Sequence, residues 1–154
     1  TKDDQPLLAG YDLSKCKAED TLVNRNDMWR YSNVLPIEDE KNRLALGEGG
    51  TPLLPLTTFV KKYDQSELLL KDESFNPTGS FKARGISMAI SKTKELGIKA
   101  AAIPTAGNTG SALAAYCAKA GIQANIFMPK AFSFPMSEGG KCIPQQHLNP
   151  WHHS

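Results

Sequence analysis

Between residues 67 and 128 the chain alternates short apolar runs with helix-length stretches, and every junction carries turn or cap chemistry. Glu67-Leu68-Leu69-Leu70-Lys71 is a continuous apolar run bounded by polar residues, the pattern of a buried strand. Residues 72–79 carry turn-forming side chains at nearly every position and lead to Ser80, an N-cap residue. Ile86, Ala89, Ile90 and Leu96 then recur on one face of a predicted helix over 81–96, which Gly97 ends. Residues 98–104 read as a second strand, 105–110 as a tight loop, 111–120 as an alanine-rich helix closed by Gly121, and 122–128 as a third strand. Such a run of βαβ units predicts an α/β fold: a parallel sheet with helices on both faces, three layers in all.

The flanks have a different grammar. Residues 1–45 are polar and irregular, with Met28-Trp29-Arg30-Tyr31 as a compact aromatic anchor, and read as an N-terminal arm lying on the core. Gly47-Glu48-Gly49-Gly50-Thr51-Pro52 is a turn-forming cluster that feeds the extended apolar pair Leu53-Leu54. Residues 46–130 form the predicted folded unit. Residues 131–154 contain three Pro, an adjacent Gly pair and all three His of the chain without helical or strand periodicity, and are expected to be a disordered tail.

Composition excludes several classes of function. A chain of 154 residues with 40% hydrophobic and 22% charged side chains can bury one core. Its net charge of +2 is far from the clustered basic footprint of a nucleic-acid binder. No apolar run approaches the roughly 20 residues that span a bilayer, and no basic-then-apolar leader opens the sequence. The three Cys, at positions 16, 117 and 142, are odd in number and form no C-x-x-C pair, which points to free thiols in a reducing, cytoplasmic compartment. Cys142, His147, His152 and His153 follow no zinc spacing, so no metal site is expected. Tyr116 and Cys117 are expected to be packing residues.

Two places carry chemistry. Lys82 falls in the first turn of a helix, where the positive end of the macrodipole disfavours a second positive charge. Were it also desolvated, it would tend toward the neutral amine, the form that attacks a carbonyl; an ordinary solvated lysine is the alternative. The loop Thr105-Ala106-Gly107-Asn108-Thr109-Gly110 follows a strand and opens a helix, so its N–H groups suit a carboxylate or a phosphate. A plain βα turn with a left-handed Asn is the alternative there.

The segments Asn76-Pro77-Thr78-Gly79-Ser80-Phe81-Lys82-Ala83-Arg84-Gly85 and Ile103-Pro104-Thr105-Ala106-Gly107-Asn108-Thr109-Gly110, in that order and separation, resemble the tryptophan-synthase-β class of pyridoxal-phosphate enzymes. Within that fold type II class the threonine synthases are the most similar branch. Met28-Trp29-Arg30-Tyr31 and Leu46-Gly47-Glu48-Gly49-Gly50-Thr51-Pro52-Leu53 resemble the same branch rather than the dehydratases and cysteine synthases. The likeness covers residues 11–130.

The resemblance implies pyridoxal 5'-phosphate as cofactor, held covalently by Lys82, which then moves protons at the substrate's α and β carbons. It implies Phe81 packed beside the cofactor and Asn108 bonded to its ring oxygen. It implies the substrate carboxylate on Thr105, Ala106, Gly107 and Thr109. The implied reaction converts O-phospho-L-homoserine and water to L-threonine and phosphate, in a homo-oligomer acting on a small amino-acid substrate, with no nucleic-acid or membrane partner. Family members continue for a much longer stretch, including a glycine-rich phosphate loop, so the chain is expected to be a truncated N-terminal part, inactive by itself. The other readings are a different fold type II enzyme, a non-catalytic truncated paralogue, and a nicotinamide-binding domain suggested by Gly107-Asn108-Thr109-Gly110. The last lacks the full G-x-G-x-x-G spacing and an acidic residue for the ribose.

Overall fold

The computed structural model describes residues 24–128 together with residues 10, 12, 14, 16, 17 and 19. The expected tail over 131–154, with Cys142 and the three His, lies outside the described residues. The ordered elements are β1 (Leu53–Pro55), α1 (Thr57–Lys62), β2 (Leu69–Lys71), α2 (Lys82–Glu95), β3 (Ala100–Pro104), α3 (Asn108–Ala120) and β4 (Gln123–Phe127), with short 3-10 turns before β1 and between β2 and α2.

The C-terminal half is the βαβ unit that the sequence predicts. β3 and β4 pair in parallel from Ala100 opposite Gln123 to Pro104 opposite Phe127, with α3 as the crossover. Both long helices end as their glycines require: Gly97 at φ +70° and Gly121 at φ +67°. Ile98 N–H bonds back to Thr93 O at 3.0 Å and Ile122 N–H to Cys117 O at 3.0 Å, satisfying carbonyls that the helix ends would leave open.

One core holds this half together. Leu44, Ala83, Ile90, Leu113, Tyr116, Cys117 and Ile122 are buried in it, and Ala101, Ile103, Ala124 and Ile126 of the sheet pack against it. Tyr116 and Cys117 are therefore packing residues, and burial pushes the Cys117 thiol up from its ordinary pKa.

One expectation needs correction. The run over 67–71 does not enter the parallel sheet. β2 pairs antiparallel with β1, Leu53 opposite Lys71 and Pro55 opposite Leu69, and Leu68, Leu69 and Leu70 are exposed. Strands joined by a short connection pair antiparallel, whereas a parallel partner requires a longer crossover, and only α1 separates β1 from β2. The β3–β4 sheet and its helices are a part of the expected α/β fold. α3 packs on the sheet and α2 packs on α3, leaving Ala100, Ala102 and Pro104 exposed on the other face. The helix α1 was itself unforeseen: it has no side-chain cap and no buried residue, so neither a start signal nor a periodic apolar face marks it.

The buried face of α2 also differs from its apolar pattern. Ala83, Ser87, Ile90 and Ser91 face inward, whereas Ala89 and Leu96 are exposed. Serines replace aliphatic residues because they bond the preceding segment: the single Ser87 hydroxyl proton is shared between Leu44 O at 2.7 Å and Glu48 Oε1 at 2.6 Å, and Ser91 Oγ accepts Leu44 N–H at 2.9 Å. That segment packs a second cluster of Met28, Trp29 and Ile37 with Met88 of α2, and Trp29 Nε1 donates to Leu44 O at 2.8 Å. Asp27 caps the turn Met28–Val34 by accepting Trp29 N–H at 2.9 Å.

Candidate active site

The lysine loop is built from consecutive short turns. Asp72 accepts Ser74 N–H at 3.0 Å and starts the turn Glu73–Phe75, and Pro77 then opens the turn Pro77–Gly79. Thr78 sits at φ +65°, unusual for a β-branched residue, and Gly79 at φ +70°. Ser80 is buried and its hydroxyl accepts Lys82 N–H at 3.3 Å, giving α2 the start that the sequence predicts, one residue late. Lys82 and Phe81 are both exposed, and the Lys82 Nζ stands 4.6 Å from the Phe81 ring centroid. The described residues thus leave the Lys82 amine open to solvent.

The second loop is shorter than expected. Only residues 105–107 are irregular; Asn108, Thr109 and Gly110 already form the first turn of α3. Thr105 Oγ1 accepts Gly107 N–H at 3.2 Å, and Thr105 N–H reaches across to Phe127 O at 2.9 Å, so the loop is tied to the end of β4. A Cβ on Gly110 would lie 3.1 Å from Thr105 Cγ2 and 3.2 Å from Ile126 Cγ2, which is how α3 comes so close to its sheet. The N–H groups of Asn108 and Thr109 find no acceptor among the described residues and remain available at the positive end of the helix.

α3 also touches the turn Pro77–Gly79, so the lysine loop and the Asn108 helix belong to one packed unit. No hydrogen bond joins Lys82 to Asn108 among the described residues, and both side chains are exposed. The two polar clusters that hold these loops were not singled out as functional in the sequence. Glu48, fully buried, accepts from Leu46 N–H at 2.8 Å, Ser87 Oγ at 2.6 Å and Tyr116 OH at 2.6 Å. Burial, with the Glu48 contact, pushes the Tyr116 phenol well above its ordinary range. Glu73 pairs with Arg84, whose guanidinium holds its carboxyl down to about 2. The only hint of this pair was one acid and one base on either side of the loop.

Residues 44–141 match the family model described as pyridoxal-phosphate dependent enzyme. The chain belongs to that family. It is 35% identical over 126 residues to the threonine synthase of Methanocaldococcus jannaschii, covering 80% of this chain and 31% of that protein. It is 41% identical over 118 residues to the threonine synthase of Methanosarcina acetivorans, covering 77% of this chain and 27% of the relative. Against the threonine synthase of Synechocystis sp. the identity is 42% over 103 residues, covering 66% of this chain and 27% of the relative. The chain thus spans between about a quarter and a third of the length of these relatives. Membership of this family removes the nicotinamide-binding reading.

The donor set suits the family's cofactor. An accessible primary amine, an exposed aromatic ring beside it, an exposed amide and a pair of free helix N–H groups match an aldehyde on a planar ring and an anionic substrate. No described helix is long and apolar enough to cross a membrane.

Proposed function

We propose that this chain supplies the cofactor lysine and the substrate-carboxylate loop of a threonine-synthase-like enzyme, which converts O-phospho-L-homoserine and water to L-threonine and phosphate. The observation that carries the reading is the accessible Lys82 amine in the first turn of α2, in the same packed unit as the open N-terminus of α3. Pyridoxal phosphate, when bound, is the electron sink for carbanion chemistry on the amino acid.

In this reading Lys82 holds the cofactor covalently and carries protons at the α and β carbons of the substrate. Phe81 lies against the cofactor, and the Asn108 amide donates to its ring oxygen. The backbone of Thr105, Ala106, Gly107 and Thr109, with the Thr105 hydroxyl, takes the substrate carboxylate, where the α3 dipole favours an anion. Residues 46–130 make up this part of the catalytic domain, with 1–45 as an arm on it and 131–154 as a divergent tail. The setting is cytoplasmic amino-acid biosynthesis, and the working form is a homo-oligomer.

The test is spectroscopic. With pyridoxal phosphate bound, O-phospho-L-homoserine shifts the cofactor absorbance of the chain, whereas L-serine and L-threonine do so weakly. A strong response to L-serine or L-threonine with release of keto acid, and none to the phosphorylated substrate, would favour a dehydratase instead.

A further inference from the structure

Four donors converge on the Glu73 carboxylate. Arg84 Nε reaches Oε2 at 2.6 Å and Arg84 Nη2 reaches Oε1 at 2.7 Å; Thr51 Oγ1 donates to Oε1 at 2.7 Å and Asn76 Nδ2 to Oε2 at 2.8 Å. This fills the roughly four acceptor sites that a carboxylate offers. The same side chains hold the peptide groups of Gly49 at both ends, since its N–H donates to Asn76 Oδ1 at 3.0 Å and its C=O accepts from Arg84 Nη2 at 3.1 Å.

Glu73 stands at the entry of the lysine loop and Arg84 two residues past Lys82, so the pair bridges the loop's ends. A two-pronged guanidinium–carboxylate contact fixes direction as well as distance, which a single ammonium contact does not. Two residues along an α-helix is a rotation of about 200°, so anchoring Arg84 inward turns Lys82 outward. The loop between them holds Thr78 and Gly79 at positive φ, a conformation that needs restraint from its surroundings.

We infer that Glu73 and Arg84 are positioning residues: their fork closes the loop onto Gly49 and sets where the first turn of α2 presents the Lys82 amine. This rests on the reading of Lys82 as the cofactor lysine. The experiment compares the full 154-residue chain with Arg84→Lys and Glu73→Gln by two readouts. One is amide exchange at Gly49, Ala83 and Arg84, with β4 amides as the internal reference. The other is the rate at which pyridoxal phosphate is trapped on Lys82 by borohydride, relative to Lys92 in the same sample.

Losing the fork should speed exchange at Gly49 and Ala83 and lower the Lys82-to-Lys92 trapping ratio, each by about tenfold, the size of one charged hydrogen bond, with β4 unaffected. Should Arg84→Lys also lose protection in β4, Glu73→Gln decides, because it keeps the side chain's volume and one carbonyl acceptor. Faster loop exchange with an unchanged trapping ratio would make the fork structural only and overturn the inference, as would no change in either readout. A parent chain that traps no faster at Lys82 than at Lys92 would instead overturn the cofactor-lysine reading and the inference together.

Discussion

Tyr116 on α3 donates its hydroxyl to Oε2 of Glu48 at 2.6 Å, joining the core helix to the glycine turn across 68 residues of sequence. Glu48 has no exposed surface, and its other carboxylate oxygen accepts from Ser87 of α2. One buried side chain thus ties the turn to both long helices. Removing it takes the acceptor from the Leu46 N–H and the Tyr116 hydroxyl, while Ser87 keeps Leu44 O, and a buried donor without an acceptor costs about 1–3 kcal/mol. Glu48→Ala should therefore destabilise the chain by more than about 2 kcal/mol and Tyr116→Phe by about 1–2 kcal/mol, read from urea unfolding midpoints.

The Glu73 pair predicts a pH dependence of stability. Arg84 above all, assisted by Thr51 and Asn76, lowers the Glu73 carboxyl from 4.5 to about 2. Because folding lowers this pKa, its contribution is complete above about 4.5 and is lost as the pH falls from there through about 2. Asp39 and Glu95 are lowered as well, by Lys41 and Lys92 respectively, so the quantity to measure is the difference between parent and Glu73→Gln. That difference should be on the order of 1 kcal/mol at pH 6, allowing for solvent screening, and should shrink toward zero near pH 2. A gap that stays constant over this range would contradict the pairing.

Two glycines at positive φ should respond differently to alanine. Gly121, at φ +67°, has open space where a Cβ would go, so Gly121→Ala should cost only the conformational penalty of about 1–2 kcal/mol. Gly49, at φ +113°, would place its Cβ on the backbone nitrogen of Met28. Gly49→Ala should cost more than about 3 kcal/mol, because backbone cannot move aside as a flexible side chain can. Thermal unfolding of the two variants side by side checks the ranking.

The parts of the fold that the sequence carried openly are those with local signals. Gly97 and Gly121 mark the ends of α2 and α3, and the alternation over 98–128 encodes the βαβ unit. The strand over 67–71 was misplaced because its Leu run is equally apolar on both faces, so nothing local distinguishes a buried sheet from an exposed ribbon. Ser87 and Ser91 were invisible to an apolar pattern because their burial depends on Leu44, which lies more than forty residues earlier. Lys82 and Asn108 stood out through the motifs around them. The fork of Glu73 and Arg84 did not, because its meaning lies in a geometry that spacing alone does not encode.

Lys82 is proposed as the amine that holds the cofactor. The most direct measurement is the bound-cofactor absorbance of the chain after adding pyridoxal phosphate, for the parent, Lys82→Arg, Lys71→Arg and Lys92→Arg. Arginine keeps the charge and helix propensity but forms no covalent bond to the aldehyde. Lys71 donates to Thr51 O at 3.1 Å and Lys92 pairs with Glu95 at 2.5 Å, so both controls are structural lysines. Lys82 faces solvent over Phe81, and its replacement should leave the unfolding midpoint within about 1 kcal/mol of the parent. A band is expected in the parent and both controls and none in Lys82→Arg; a band that survives in Lys82→Arg at parental intensity would contradict the assignment of Lys82.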